Sequence, residues 1–128
     1  MNLEKVVFAF FIVLAATLNF GFFIGDIDRP ELHHVGEFAA ALVVNLIATS
    51  LKFGDRSHMG ATQLATSLVA VLQLVAASIV WGYQTQVVGE MTPNAMSSIV
   101  SLSGGAMLAN LVSLILLICA IGRCSIWP

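Results

Sequence analysis

The sequence predicts an all-α, polytopic membrane protein in which a single domain, residues 1–128, crosses the bilayer four times with short loops. Hydrophobic residues make up 59% of the chain and charged residues only 9%, a balance that a soluble domain of this size does not sustain. Four apolar segments reach the roughly 20 residues that a helix needs to cross the hydrocarbon core. None of them alternates between polar and apolar residues, which excludes a transmembrane β-barrel.

The first two predicted helices cover about residues 6–25 and 30–53. The first is an apolar run that carries no charged side chain. The second begins just after Asp28, the expected N-cap, and Glu31 stands three residues after Asp28 in the pattern of a capping box. We therefore expect the second helix to begin outside the bilayer.

The third and fourth predicted helices cover about residues 61–83 and 93–121, and neither carries a charge. Thr92 is the expected N-cap of the fourth helix, because Pro93 after it suits the first helical position. The fourth segment exceeds the length that a bilayer requires, so we expect it to tilt or to begin outside the membrane.

The basic residues predict how the chain is oriented. Lys5, Lys52, Arg56 and Arg123 fall on one side of a four-helix arrangement, whereas the opposite loops hold only Arg29. Because basic residues accumulate on the cytoplasmic side, both termini are predicted to be cytoplasmic. We expect Lys52, near that boundary, to extend its amine toward water.

One face of the second helix carries polar residues along its length. At 100° per residue, Glu37, Asn45 and Thr49 lie within about 60° of a line through His34. Residues on the third and fourth helices complete what we call the polar seam. The polar seam consists of Glu37, Asn45, Thr49, Gln63, Thr66, Gln73 and Asn110.

Two interpretations of the polar seam remain open at this stage. Amides in hydrocarbon bond to one another across helices for about 0.6 to 2 kcal/mol per contact, which is enough to hold a bundle in register. Alternatively, amide and hydroxyl oxygens replace the water shell of a cation without bringing a full charge into lipid. The first interpretation is structural, and the second is an ion path.

Small residues at four-residue spacing predict close helix packing. Gly21 and Gly25 form a G-x-x-x-G pair, and Ser101, Gly105 and Ala109 repeat the spacing in the fourth helix. Because four short helices have little interior of their own, we expect a homo-oligomer. An isolated bundle is the alternative.

The loop before the second helix collects ionisable residues, namely Asp26, Asp28, His33, His34 and Glu37. Such residues could form ion pairs, sense pH or bind a divalent cation. An ordinary solvated loop is the alternative interpretation.

Several functional classes find no support in the sequence. The chain holds no Ser-His-Asp context, no H-E-x-x-H motif and no phosphate-binding glycine loop, so we expect no enzyme activity and no cofactor. Cys119 and Cys124 have no further cysteine nearby, and we expect no metal site there. A net charge of −2 gives no reason to expect nucleic-acid binding.

Four strings, "LNFGFFIGDID", "VVNLIATSLKFGDR", "ATSLVAVLQL" and "SLSGGAMLAN", resemble a family of small four-helix inner-membrane proteins of proteobacteria. The resemblance implies a bacterial inner membrane and adds nothing about mechanism. From the residues, the functional hypothesis is cation permeation along the polar seam in a homo-oligomer. The alternative is a non-conducting accessory or assembly subunit of a membrane complex.

Overall fold

A computed structural model of the chain describes residues 3–24, 33–54 and 57–122. The described residues form four α-helices, α1 (Leu3–Phe23), α2 (Val35–Lys52), α3 (His58–Gly82) and α4 (Pro93–Gly122). In this part of the chain four helical segments are long and apolar enough to cross a membrane. The predicted all-α, multi-pass membrane fold is confirmed.

The helices form an antiparallel bundle. Each helix packs against its neighbours in sequence, and α1 also packs against α4, which closes the ring. We call the end where α1 and α3 begin the basal end, and the opposite end the apical end. Helices that follow one another in sequence run in opposite directions, whereas α1 and α3, which meet at Phe22 and Trp81, run in the same direction.

Among the described residues the second helix begins at Val35, and residues 30–32, where the predicted helix begins, lie outside the described part of the chain. The backbone of His34 is extended, with φ −85° and ψ 124°. Nδ1 of His33, beside it, donates a hydrogen bond to the carbonyl oxygen of Phe22 near the end of α1. The predicted capping-box residues, Asp28 and Glu31, lie outside the described residues.

Side-chain caps fix the beginnings of α3 and α4. The hydroxyl of Ser57 accepts a hydrogen bond from the backbone N–H of Gly60 at 2.9 Å. The hydroxyl of Thr92 accepts one from the N–H of Ala95 at 3.1 Å, so the predicted cap is confirmed. At its apical end α3 continues into a π-helical turn, Tyr83–Val88.

The bundle is apolar outside and partly polar inside. Large side chains such as Phe10, Leu72 and Leu108 are more than half exposed on its lateral surface, which suits contact with lipid. Two apolar clusters fill the ends of the interior. The larger one lies in the apical half around Phe22 and Leu74, and the smaller one is the basal cluster defined below.

Candidate functional site: the polar interior of the bundle

The predicted polar seam lies inside the bundle of a single chain. Four of its residues are buried: Asn45, Thr49, Gln63 and Asn110. Three are half-buried: Glu37, Thr66 and Gln73. The face of α2 that the sequence marks as polar is therefore turned toward the other helices. Ser50, one residue outside that face, is exposed.

Polar residues on α4 form hydrogen bonds with residues on two other helices. These contacts show at which levels along α4 the polar side chains of α1 and α3 lie. The hydroxyl of Ser103 donates to Oδ1 of Asn19 on α1 at 3.4 Å. Ten residues further along α4, the hydroxyl of Ser113 accepts a hydrogen bond from the hydroxyl of Thr66 at 2.8 Å. Ten residues correspond to about 15 Å of helix. Asn110 lies between these two levels, so the polar interior covers the middle of α4.

The donors on α2 are used within the helix itself. Nδ2 of Asn45 donates to the carbonyl oxygen of Ala41, and the hydroxyl of Thr49 donates to the carbonyl oxygen of Asn45, both at 2.8 Å. The remaining polar atom of the Asn45 side chain, Oδ1, is a buried acceptor without a hydrogen-bond partner. The face of α2 thus presents oxygen acceptors to the interior.

Oδ1 of Asn45 is one of several buried side-chain atoms in the described residues that lack a hydrogen-bond partner. These atoms are Nδ2 of Asn19, Oδ1 of Asn45, Nε2 of Gln63, Oγ of Ser67, Oε1 of Gln73, and Nδ2 and Oδ1 of Asn110. Each unsatisfied buried group costs about 1–3 kcal/mol, and native interiors contain few of them. The atoms come from all four helices, and buried polar groups without a protein partner are the groups that buried water or a ligand binds in proteins.

Two glycines make room for polar side chains of the seam. A Cβ built on Gly21 would overlap the carboxylate of Glu37, and a Cβ built on Gly105 would overlap the amide of Gln73. The sequence predicts that these glycines let helix backbones approach. In the structure the space beside each is filled by a side chain from the neighbouring helix, which brings Glu37 and Gln73 into the bundle.

The other residues predicted to pack helices lie in different surroundings. Ala109 is 9% exposed and belongs to the apical apolar cluster. Ser101 is exposed on the lateral surface of α4 and does not belong to the polar interior. Gly25 lies outside the described residues.

Aromatic side chains close the apical end of the polar interior. We call Phe22, Phe38 and Trp81 the aromatic cluster; their ring centroids lie 5.1 to 6.0 Å apart. Phe22 and Phe38 are buried. Rings at these distances attract one another, so the cluster is a stable closure.

The basal end is closed by the basal cluster, which consists of Phe8, Ile12, Ala48 and Leu117. Lys52 adds to it, because its Nζ lies 4.3 Å from the centroid of the Phe8 ring. The sequence predicts that Lys52 extends toward water, but the residue is only 7% exposed. Its position on the inward face of α2 places the amine over the electron-rich face of the ring.

Three of the residues predicted to sense pH or bind a cation are described, and they lie in different surroundings. His33 is buried and directed at α1, whereas His34 is exposed. Glu37 lies against Gly21. Asp26 and Asp28 lie outside the described residues. In the described part of the chain no group of three or more His, Cys, Asp or Glu residues is placed to hold a metal ion.

Sequence reasoning missed the closures at both ends. The aromatic cluster joins three helices, and the contact of Lys52 with Phe8 joins two. A Phe or Trp in an apolar helix carries no signal of which neighbour it meets. The contact of Glu37 with Gly21 had a partial signal in the sequence. The glycine lies near the end of the first helix and the carboxylate near the start of the second, which is the same end of the bundle.

Membrane-crossing helices around an interior of amides and hydroxyls define a multi-pass membrane protein with a buried polar site. The profile of the DUF6394 family, described as a family of unknown function, matches residues 32–121, which is more than half of the chain. The chain belongs to this family. The matched range contains α2 and α3 whole and nearly all of α4. No curated protein and no solved structure matches the chain.

Proposed function

We propose that this protein conducts cations across a bacterial inner membrane through the polar seam inside each bundle. One observation carries the proposal: the amide oxygens of Asn45, Gln73 and Asn110 are buried acceptors without hydrogen-bond partners. Oxygen acceptors of this kind replace the hydration shell of a cation. Their dipoles stabilise positive charge and bring no full charge into the hydrocarbon.

Glu37 supports the preference for cations over anions. Its half-buried carboxylate lies toward the apical end of the bundle, against Gly21. A carboxylate near one end of a polar route raises the local concentration of cations and disfavours anions. The buried amides then accept the cation further along the seam.

The structure corresponds to a closed form in this proposal. The aromatic cluster blocks the apical end, and Phe8 with Lys52 blocks the basal end. Hydrophobic constrictions of this kind stop ions because they exclude water, and a small displacement of the side chains readmits it. Opening therefore requires movement of Phe38 and Phe8, without rearrangement of the whole bundle.

The proposed orientation places the basal end in the cytoplasm. It is supported by Lys5 and Lys52 at that end, and by Arg56 and Arg123 in the same topological compartment. Arg29 is the single basic residue assigned to the opposite side. Both termini are then cytoplasmic, and cations reach Glu37 from outside the cell.

The predicted homo-oligomer is part of the proposal as an assembly of complete bundles, each with its own polar seam. The exposed Ser101 on α4 supports this arrangement, since small residues on a lateral surface allow close contact between helices. The same surface favours a second candidate function, a non-conducting accessory or assembly subunit. A different membrane protein would then cover Ser101.

The test is cation flux into proteoliposomes. The purified chain is reconstituted with gradients of K⁺, Na⁺, Ca²⁺ or Cl⁻. Flux is measured at external pH values of about 5.5 and about 7.5, one below and one above the pH at which an unperturbed histidine side chain changes charge. We expect selective cation flux that is lost in Asn45→Leu and in Gln73→Leu. Ser50→Leu, on the exposed side of the same helix as Asn45, is the matched control and should conduct normally.

Two results would overturn conduction. One is the absence of flux from a folded parent protein at both pH values. The other is unchanged flux in folded Asn45→Leu and Gln73→Leu variants. A stoichiometric second protein that stays bound in mild detergent, together with the absence of flux, would support the accessory function.

A further inference from the structure

A groove of about 880 Å³ opens at the basal end of the bundle, apart from the buried amides. The first two turns of α1 form one wall, and the other wall is formed by the last turn of α2 together with Phe53, Gly54 and Ser57. The groove lies where the apolar helices end. In a membrane this depth is the level of the lipid headgroups.

The charges around the groove favour an anion. Among the described lining residues, Lys5 and Lys52 are basic and Glu4 is acidic, so the described lining carries two positive formal charges and one negative one. Lys5 is exposed, whereas Lys52 is held over Phe8 with its amine 4.3 Å from the ring centroid. The two lysines belong to different helices, α1 and α2, so each wall of the groove contains a basic residue.

The apolar part of the lining favours a lipid over a soluble anion. Leu3 and Phe53 border the groove and are 71% and 64% exposed. Phe8 lies deeper and is buried. Apolar surface beside two amines suits a ligand whose phosphate is attached to acyl chains. A free phosphate ion would gain nothing from these side chains.

From this combination we infer that the groove binds the headgroup of an anionic phospholipid, with Lys5 and Lys52 beside the phosphate. Basic pockets between transmembrane helices on the cytoplasmic side are places where anionic headgroups bind. The acyl chains leave the groove along the exposed side chains of Leu3 and Phe53. This binding site does not depend on conduction through the polar seam, and its test does not measure conduction.

Native mass spectrometry of the full chain, released from mild detergent, tests this site. The protein is titrated with phosphatidylglycerol and, separately, with zwitterionic phosphatidylcholine. We expect a one-to-one adduct that prefers phosphatidylglycerol. Because each basic residue near an anionic lipid contributes roughly one kcal/mol, binding should weaken about fivefold in Lys5→Gln and about thirtyfold in the Lys5→Gln, Lys52→Gln double variant. Lys5→Arg, which keeps the charge, should restore binding.

Arg29→Gln is the charge-matched control, because Arg29 lies in the segment that joins α1 to α2, away from the groove in sequence. It should bind phosphatidylglycerol as the parent does. Circular dichroism reports whether each variant is folded, and Lys5→Gln tests the site on its own if changes at the buried Lys52 prevent folding.

Three results would overturn the inference. Equal binding of the two lipids shows that the groove does not select charge. If Arg29→Gln weakens phosphatidylglycerol binding as much as Lys5→Gln does, the lipid is attracted by the overall charge of the protein and not by the groove. Displacement of the lipid by an equal concentration of inorganic phosphate shows that the site serves a soluble anion and not a phospholipid.

Discussion

The carboxylate of Glu37 on α2 lies against the backbone of Gly21 on α1, in a space that a Cβ at position 21 would fill. A half-buried carboxylate in a membrane helix is costly, because hydrocarbon does not solvate charge. The missing side chain of Gly21 lets Glu37 enter the contact between helices instead of facing lipid. The glycine thus determines where the acidic end of the polar seam lies.

Gly21→Ala should destabilise the bundle by about 1–3 kcal/mol, the usual cost of overpacking, because the new methyl group displaces the Glu37 side chain. Unfolding by sodium dodecyl sulfate in mixed micelles measures the change. Gly36→Ala is the control, since a Cβ there meets no atom within 4 Å. It should leave stability unchanged or raise it slightly through helix propensity.

Removal of the displaced carboxylate should rescue Gly21→Ala. In the Glu37→Ala background the added methyl group meets no carboxylate, so its cost should fall by more than half. The same unfolding assay measures this coupling. Equal costs of Gly21→Ala in the two backgrounds would mean that Glu37 does not occupy the space beside Gly21.

Gly105→Ala should displace the amide of Gln73 and lower cation flux as strongly as Gln73→Leu does. Flux into proteoliposomes is the measurement, and circular dichroism shows that the variant is folded. Gly82→Ala on α3 is the matched control, because a Cβ there also meets no atom within 4 Å. Normal flux in folded Gly105→Ala would remove Gln73 from the proposed path.

Phe38→Leu should weaken the apical closure. The substitution removes the ring contacts with Phe22 and Trp81, each worth about 0.5–1.5 kcal/mol, so stability should fall by about 1–3 kcal/mol. If the aromatic cluster closes the path, the cation flux of the variant should be higher than that of the parent protein. Phe20→Leu, at a position that is 53% exposed, should change neither quantity. A loss of stability without a rise in flux would assign the cluster to packing alone.

Lys52 and Phe8 should be energetically coupled by about 0.5–2 kcal/mol. A double-mutant cycle of unfolding free energies with Lys52→Met and Phe8→Leu measures the coupling. In the control cycle Phe10→Leu replaces Phe8→Leu, because Phe10 is 61% exposed on the outer side of α1. Its coupling to Lys52 should be close to zero. Similar values in the two cycles would rule out the specific contact.

Predictions from sequence were accurate where the signal is local. Thr92 caps α4 as expected, because a hydroxyl three residues before a free backbone N–H determines this contact within one turn. The sequence predicts a start of α2 near residue 30, whereas the described part of the helix begins at Val35. Its position at Val35 accompanies a contact of His33 with the carbonyl oxygen of Phe22, eleven residues earlier in the chain. Helix propensity and capping patterns contain no information about such a contact.

The sequence by itself determined that the chain crosses a membrane four times and that Asn45 and Thr49 share one face of α2. Length, apolar content and the helical period are properties of single segments, so no neighbour is needed to derive them. Only the tertiary structure decided that this face is buried in its own bundle, that Glu37 lies beside Gly21, and that Lys52 covers Phe8. The rotation of each helix follows from packing among all of its neighbours, and no periodicity within one helix specifies it.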